Sequence, residues 1–289
     1  MKKPQILYSG DYSQDKSKGA LFLYLPTEMG YIEYTIAHSV YPEIFCDTWR
    51  LGSAAACDEC LAVHTNLTPR AEWDMALALE GRDDFIGGLL HGDEVYDSLT
   101  VLVDGVEMKL GQLSVMREFS SLEITVRSVG LDPSDHETKV LRHEKTYAIT
   151  ASGLTLDQRV EWLGDYSLAA CYMAMMPPKK CVTNSFVTDV SGEVEKIEKS
   201  SIDVLGATRA TLFGAESGYY FTMAVHGYPA LSGGGRLMIR DNGGNPYNKM
   251  YFPVCTSGEV KRGEVWQTRT EYLIEHRETY PNTSSSAIM

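Results

Sequence analysis

The sequence predicts an all-β protein, a large antiparallel β-sandwich of two sheets with only a few short helices. Three observations carry this prediction. Apolar and polar residues alternate with period two along many segments, glycine and aspartate turns separate these segments at close spacing, and no alternating series of helices intervenes. Hydrophobic residues make up 44% of the 289 residues, so a sizeable core can form without disulfides or a metal.

Two hairpins are the clearest elements of the chain. The first joins residues 99–103 to residues 106–110 through Asp104-Gly105, a dipeptide that tolerates the positive φ angles of a tight turn. The second joins residues 140–150 to residues 154–163 across a short turn of alanine, serine and glycine. Each hairpin places two antiparallel strands side by side.

The last third of the chain repeats the alternating pattern. We expect further strands over residues 219–226, 236–240, 249–254 and 265–276. Glycine-rich turns over residues 232–235 and 241–246 lie between them. Residues 167–176 are apolar enough to form either a buried strand or a short helix, and residues 72–80 could form two helical turns.

A single domain accounts for most of the chain. No internal repeat and no low-complexity linker divides the sequence, so we expect one β-sandwich domain over residues 1–281. An N-terminal layer, roughly residues 1–98, is expected to be a less regular part of the same sandwich. Residues 282–289, which contain a run of serines, are expected to form a disordered tail.

The charge balance narrows the choice of partners. The chain carries 26 basic and 39 acidic residues, a net charge of −13. An acidic surface repels phosphate backbones and anionic lipids, so we expect no nucleic-acid partner and no membrane partner. A carbohydrate ligand and association into a homo-oligomer are both compatible with this composition.

The positions of the cysteines and the absence of familiar motifs limit the cofactors and metals that we expect. The six cysteines are sparse and show no disulfide-scaffold pattern, and the pair Cys57 and Cys60 lacks the second pair that a zinc site needs. Phosphate-binding, dinucleotide-binding and metalloprotease signatures are absent, so we expect no cofactor and no metal. No signal peptide is visible, so we expect a cytoplasmic protein, or a secreted one if a signal peptide has been removed.

Residues 83–94 form the most unusual segment, with three glycines and five ionisable groups around a short apolar run. His91 is a candidate general acid or base with a carboxylate to orient it, and Glu94 is a second catalytic candidate. If residues 90–94 are extended, His91 and Asp93 share one face and Glu94 points to the other. The alternative is a polar loop in which the histidine is merely solvated.

The strand over residues 140–150 places His143, Lys145 and Tyr147 on one side. Such a row is costly in a core, so this face is expected to be either exposed to solvent or a polar groove. On the partner strand, Arg159 could neutralise a substrate carboxylate while Tyr147 or His143 moves protons. An ordinary exposed sheet face explains the pattern equally well.

The C-terminal strands carry aromatic rings beside arginine, asparagine and lysine, a combination that suits sugar binding. Leu237 and Ile239 are expected to point inward, and Arg236, Met238 and Arg240 outward. The candidate substrate-binding residues of the whole chain are Asn66, Trp73, Arg159, Arg236, Lys249 and Tyr251.

The loop over residues 87–94, the strand with His143 and Tyr147, and the segments 247–252 and 263–266 together resemble the β-sandwich polysaccharide lyases as a broad group. The resemblance implies β-elimination at a uronic acid, with a histidine or tyrosine as base and as acid and an arginine that neutralises the carboxylate. The matching positions are His91, His143 and Tyr147 for proton transfer and Arg117, Arg142 or Arg159 for the neutraliser. Both jelly-roll and mutarotase-like sandwiches fit the predicted strands.

Three functions therefore stand as hypotheses. The first is a carbohydrate-active lyase that cleaves uronate-containing oligo- or polysaccharides. The second is a sugar epimerase or glycoside hydrolase on the same fold, which uses a histidine and a carboxylate such as His91 and Glu94. The third is a non-catalytic carbohydrate-binding or structural module, for which His91, His143 and Tyr147 should lie apart in the folded chain.

Overall fold

The computed structural model describes residues 2–12, 17–87, 91–227, 236–241, 244–255 and 257–277, and strands dominate them. In chain order the strands are β1 Gln5–Ser9, β2 Ser17–Thr27, β3 Gly30–Tyr41, β4 Cys46–Cys57, β5 Val63–Asn66, β6 Ala76–Leu79, β7 Phe85–Gly87, β8 Glu94–Val103, β9 Val106–Glu107, β10 Arg117–Glu118, β11 Leu122–Leu131, β12 Lys139–Thr150, β13 Gly153–Trp162, β14 Tyr166–Met176, β15 Ser185–Thr188, β16 Glu195–Lys196, β17 Ser201–Leu205, β18 Arg209–Phe213, β19 Tyr219–His226, β20 Arg236–Asp241, β21 Asn248–Cys255, β22 Gly258–Val260 and β23 Val265–His276. Short 3₁₀ turns cover Pro42–Ile44, Leu110–Leu113 and Lys180–Val182.

The strands form two sheets. The larger sheet runs in the order β10-β1-β2-β3-β4-β8-β11-β12-β13-β23-β19-β18-β15-β16, with β5 beside β4 and β9 beside β8. The smaller sheet runs β17-β20-β21-β14-β6-β7, with β22 beside β14. Pairing is antiparallel except where the start of β4 meets the start of β8. This confirms the predicted class, an all-β sandwich of two antiparallel sheets.

One large apolar cluster joins the two sheets. It includes Ile124 of β11 and Leu156 of β13 from the larger sheet, and Ile239 of β20 and Phe252 of β21 from the smaller one. A second cluster, around Trp162, packs the far end of β13 against β6 and β14. Burial of these apolar faces is the main favourable term that holds the sheets together.

The hairpins and the C-terminal strands confirm the sequence predictions. Asp104 and Gly105 have φ angles of 50° and 79° in a two-residue turn, and Val103 pairs with Val106 across it. The strand β13 pairs over its whole length with residues 141–150 of β12, and the segment 167–176 lies within a strand, β14. The predicted turns over residues 232–235 and 241–246, and the tail 282–289, lie wholly or partly outside the described residues.

Three expectations were wrong. Residues 72–80 form no helix, because residues 76–79 pair as β6 with β7 and β14 and are buried on both faces. The strand after Asp104-Gly105 ends at Glu107, and a 3₁₀ turn starts at Leu110. The N-terminal layer is regular, since β2, β3 and β4 form a long antiparallel meander. Nearly every residue of β3 and β4 is buried, so the sequence of these strands lacks the alternation of apolar and polar residues that marks a half-exposed strand.

The described parts of the chain contain no helix with the length and apolar character of a membrane span. Among them, Cys46, Cys57, Cys60 and Cys181 are free thiols.

Candidate functional site

A cavity of about 200 Å³ opens on the smaller sheet and combines aromatic rings with charged side chains. Its described lining residues are Glu72, Ala76, Phe85, His91, Tyr172, Met175, Met238, Arg240, Lys249 and Tyr251. A larger groove, of about 590 Å³, lies at the edge formed by Glu80, the start of β14 and β22, and its described lining holds no ring, histidine or cation. The smaller cavity is therefore the candidate functional site.

Aromatic rings form a continuous row along the cavity. The rings of Phe85 and Tyr172 stack with their centroids 5.9 Å apart, and Tyr172 meets Tyr251 at 5.0 Å. At the other end of the row, the imidazole of His91 lies 4.8 Å from the Phe85 ring. Such a row offers a flat apolar surface that ends in polar groups, as a ligand with one apolar face and several hydroxyls requires.

His91 is held in place by a carboxylate and by the backbone that follows it. Its Nδ1 lies 2.7 Å from Oδ1 of Asp84, which favours the tautomer with the proton on Nδ1 and leaves Nε2 as the proton acceptor. The Gly87 amide donates to the Gly92 carbonyl at 2.8 Å and closes the loop. Residues 88–90 of the predicted active-site loop lie outside the described residues.

Glu72 and Lys249 form a buried ion pair at the cavity wall. The Lys249 ammonium donates to Oε2 of Glu72 at 2.6 Å and lies 5.0 Å from the centre of the Tyr251 ring. Burial opposes ionisation of Glu72, but the charge and hydrogen bond of Lys249, with a contribution from His91, bring the pKa of Glu72 down to about 2. Glu72 is therefore a fixed negative charge at neutral pH rather than a proton carrier.

A second imidazole–carboxylate pair supports the segment after His91. His136 Nδ1 lies 2.6 Å from Oδ1 of Asp93, and its ring stacks on Phe45 with the centroids 4.0 Å apart. All three residues have positive φ angles, 57°, 52° and 51°, a strained region for side chains other than glycine. Since Asp93 is turned in this way, residues 91–94 are not a simple extended run, and the condition under which His91 and Asp93 would share one face is not met.

Glu94 and the polar row of β12 lie in a buried ion cluster between the sheets. Lys145 contacts Asp74 at 3.0 Å and Glu94 at 2.9 Å. Glu94 also accepts from the Ser128 hydroxyl at 2.6 Å and lies 3.3 Å from Nδ1 of His143. Burial alone would raise the pKa of Glu94, but Lys145 and then His143 hold it well below its usual value.

Arg50 and Tyr147 complete the buried cluster. Arg50 donates to the Cys46 sulfur at 2.7 Å, and the Tyr147 hydroxyl accepts from the Leu51 amide at 3.3 Å. Burial raises the pKa of Tyr147 well above its usual value. Within the described residues, Nε and Nη1 of Arg50 and Oδ1 of Asp74 have no hydrogen-bond partner, so the cluster depends on charge pairing more than on full hydrogen bonding.

The structure does not bring the five predicted catalytic residues together. His91 lines the cavity, whereas Glu94, His143 and Tyr147 are buried in the core, and Arg117 is exposed on β10 at the edge of the larger sheet. The expectation that the face with His143 and Tyr147 is solvent or a groove was wrong. The cost of burying that row is offset by carboxylates that the sequence brings from distant segments.

The predicted binding residues divide in the same way. Lys249 and Tyr251 line the cavity. The other predicted binding residues lie elsewhere: Asn66 is exposed on β5, Trp73 is buried in the core, Arg159 pairs with Glu161 at 3.3 Å on the larger sheet, and Arg236 pairs with Asp203 at 3.5 Å. Met238, expected to point outward, is buried beside the cavity.

Glu72, Phe85 and Tyr172 line the cavity but were not among the binding residues predicted from the sequence. Two of them belong to the region around β6, where the fully buried run Ala-Leu-Ala-Leu shows no alternation. The sequence did contain a signal for Arg240 as a cavity residue. The alternation of the C-terminal strands places Arg240 on the same outward face as Lys249 and Tyr251. Among the described residues, no group of three or more histidine, cysteine, aspartate or glutamate side chains is placed to hold a metal ion.

Comparisons with known proteins support the fold. No protein-family model matches the sequence, and no curated protein matches it. The galactosidase domain of AgaSK, an α-galactosidase–sucrose kinase, is similar with a TM-score of 0.52 and 8% identity over 94% of this chain and 41% of that chain. The chain therefore shares a β-sandwich fold with a domain of a carbohydrate-active protein.

Two further solved structures are galactose mutarotase-like proteins. Those from Clostridium acetobutylicum and Lactobacillus casei have TM-scores of 0.45 and 0.43 and identities of 11% and 10%. They cover 94% and 88% of this chain and 99% and 100% of their own chains. None of these three solved structures is described as a polysaccharide lyase.

Replacing Lys145 by methionine tests the buried cluster. Lys145→Met leaves Asp74 and Glu94 without their shared cation, so we expect a loss of about 3–5 kcal/mol in the free energy of unfolding, measured by urea titration. The matched control is Lys261→Met, whose ammonium is exposed and lies 3.8 Å and 3.7 Å from its two carboxylate partners. The control should lose less than about 1 kcal/mol. Equal losses would show that the cluster contributes no more than a surface pair.

The Glu72–Lys249 pair predicts a specific acid dependence of stability. The pKa of Glu72 in the folded chain, about 2, is below its ordinary value of 4.5, so its contribution is present above pH 4.5 and is lost as the pH falls toward 2. That difference in pKa corresponds to about 3 kcal/mol. Glu72→Gln should flatten the fall of the unfolding free energy over this range in urea titrations. In the control Glu259→Gln, which changes an exposed residue, the unfolding free energy should fall with pH as in the wild type. The same fall in Glu72→Gln would contradict a contribution from the Glu72–Lys249 pair.

Proposed function

We propose that the protein binds a sugar ring in the cavity of the smaller sheet and carries out acid–base chemistry on it, as an aldose epimerase, with His91 as the proton-transfer group. One observation carries the proposal. A row of aromatic rings leads to an imidazole that a carboxylate orients, and cationic donors line the same cavity. This set of groups matches both the shape and the chemistry of a cyclic sugar.

The cavity is of a size to take one sugar ring. Pockets for drug-sized ligands span about 300–1,000 Å³, and this one has about 200 Å³. Tyr172 and Tyr251 offer ring faces for the apolar side of a sugar, while Lys249 and Arg240 offer donors for its oxygens. A long polymer would have to extend beyond the cavity, so a monosaccharide or the end of an oligosaccharide is the better ligand.

Epimerisation at the anomeric carbon needs two proton transfers and the reversible cleavage of one C–O bond. His91, through Nε2, would accept the proton of the anomeric hydroxyl while the bond from the anomeric carbon to the ring oxygen breaks, and the ring oxygen would take up a proton from the Lys249 ammonium or the Tyr251 hydroxyl. Rotation of the open-chain aldehyde and reversal of the same steps give the other anomer, with no net loss or gain of atoms. Lys249, which Glu72 holds at the cavity wall, and the Tyr251 hydroxyl are the cavity donors that would stabilise the developing oxyanion.

The lyase hypothesis has less support. It assigned proton transfer to His143 and Tyr147 as well as His91, and both are buried with partners in the core. Of the predicted neutralisers, Arg117 and Arg159 lie exposed on the larger sheet, away from the cavity lining. β-Elimination would therefore depend on His91 with a different arginine.

A non-catalytic carbohydrate-binding module is the second candidate. It is supported by the burial of His143 and Tyr147 in the core, which leaves His91 alone of the three in the cavity lining. Under it, the aromatic row and the cations would bind a sugar without turnover. The two candidates differ in whether His91 affects the rate of a reaction or only the affinity for a ligand.

Replacing His91 by glutamine separates enzyme from module. His91→Gln keeps a polar side chain but removes the proton carrier, so the rate of anomer exchange of a bound aldose, followed by polarimetry, should fall by about 10²–10⁴-fold with little change in sugar affinity. The control is His64→Gln, an exposed histidine on β5. If wild type binds sugar but does not accelerate anomer exchange, the binding module is the correct function.

Replacing Tyr172 by alanine tests the binding row. Tyr172 stacks on Phe85 and contacts Tyr251, so Tyr172→Ala should weaken sugar binding by about tenfold, measured by titration calorimetry. The control is Tyr12→Phe, whose ring packs edge-on against Phe22 at 5.4 Å on the larger sheet. Unchanged affinity in Tyr172→Ala would place the sugar outside this cavity.

A further inference from the structure

We infer that the sugar taken by the cavity carries an anionic substituent, a carboxylate or a phosphate, held by Arg240 beside Lys249. The inference rests on the proposed sugar site and names its substrate class. It is drawn from the arrangement of charges on two neighbouring strands of the smaller sheet.

Arg240 and Lys249 are direct neighbours across the antiparallel pair β20 and β21. Like charges that face each other in this position destabilise a sheet, because the two side chains are only a few ångströms apart. Both side chains also line the cavity. A purely structural sheet would place a carboxylate or a neutral residue opposite one of them.

Among the described residues, a carboxylate neutralises one of these two cations and not the other. Glu72 pairs with Lys249 at 2.6 Å, whereas the side-chain partner of Arg240 is the Met238 sulfur, 3.1 Å from Nε. The carboxylate of the adjacent strand β17, Asp203, pairs with Arg236 instead. In the described parts of the chain, the guanidinium of Arg240 thus has no carboxylate within ion-pair distance, and it is exposed to solvent.

The cavity is cationic in an acidic protein. Its described lining holds two cations and one carboxylate, besides His91, while the whole chain has a net charge of −13. Asp84, which orients His91, is not among the lining residues. A local excess of positive charge against that background attracts anions. Uncharged hydrogen-bond donors are enough for a neutral sugar, whereas an unneutralised guanidinium binds an anion more strongly than a neutral acceptor.

Arginine suits the two anions that sugars commonly carry. Its planar fork can donate two parallel hydrogen bonds to a carboxylate or a phosphate, and such pairs are stronger than those with neutral acceptors. With the ring on Tyr172 and Tyr251, the anion would reach Arg240, while the anomeric end faces His91 and Lys249. The site would then select its substrate at one end and act on it at the other.

The test compares matched sugars on the wild-type chain and on Arg240→Gln. Titration calorimetry with glucose, glucuronate and glucose 6-phosphate, and with the corresponding galactose series, separates the carboxylate source from the phosphate source. We expect at least one anionic sugar to bind about tenfold or more tightly than its neutral parent, and this preference to weaken with added salt. Arg240→Gln should abolish the preference, so that the ratio of anionic-sugar to neutral-sugar affinity falls to about one, whatever the change in the affinity for the neutral sugar.

The control and the contrary outcomes are distinct. Arg127→Gln removes an exposed arginine that pairs with Glu144 on the larger sheet, and it should keep the wild-type preference. Equal binding of neutral and anionic sugars by wild type, or a preference that survives in Arg240→Gln, would overturn the inference while the sugar site stands. Failure of every sugar of either charge to bind would overturn the proposed function itself, and the inference with it.

Discussion

The structure depends on one buried segment, residues 71–75, which is bound to both sheets by charge and by hydrogen bonds. Asp74 pairs with Lys145 of the larger sheet, and Glu72 pairs with Lys249 of the smaller one. Between them, the Trp73 carbonyl accepts from the Met175 amide of β14 and from the Tyr272 hydroxyl of β23. Buried charges are costly unless each has a partner, so this segment can occupy its place only when both sheets stand in the observed register.

The same constraint connects the core to the cavity. Glu72 and Asp74 lie two residues apart on one short segment, so the ions that fix that segment in the core also fix the carboxylate that holds Lys249 at the cavity wall. Apolar packing brings the sheets together without selecting one relative position. Paired ions are directional, and here they select the position in which Lys249, Tyr251 and the aromatic row meet.

Much of the strand pattern could be predicted from the sequence, because alternation and turn chemistry are local signals. Asp104-Gly105 predicted its hairpin, and the range 265–276 is the full extent of β23. The site could be predicted only in part. Alternation showed that His143 and Tyr147 share a face, but not that Glu94 and Asp74 approach that face from distant segments. Residues 76–79 are buried on both sides, so their apolar run showed no period that would distinguish a strand from a helix.

The choice between an enzyme and a binding module depends on how many catalytic side chains the reaction requires in one place. A sandwich of this kind is shared by proteins with different activities, so the fold cannot decide. β-Elimination needs a base, an acid and a neutralised carboxylate in one place, and burial of His143 and Tyr147 removes two of the groups assigned to it. Anomer exchange needs a proton acceptor and nearby donors. His91, oriented by Asp84, and the cationic wall beside it provide groups of these two kinds, and this smaller requirement is the reason for proposing anomer exchange rather than β-elimination.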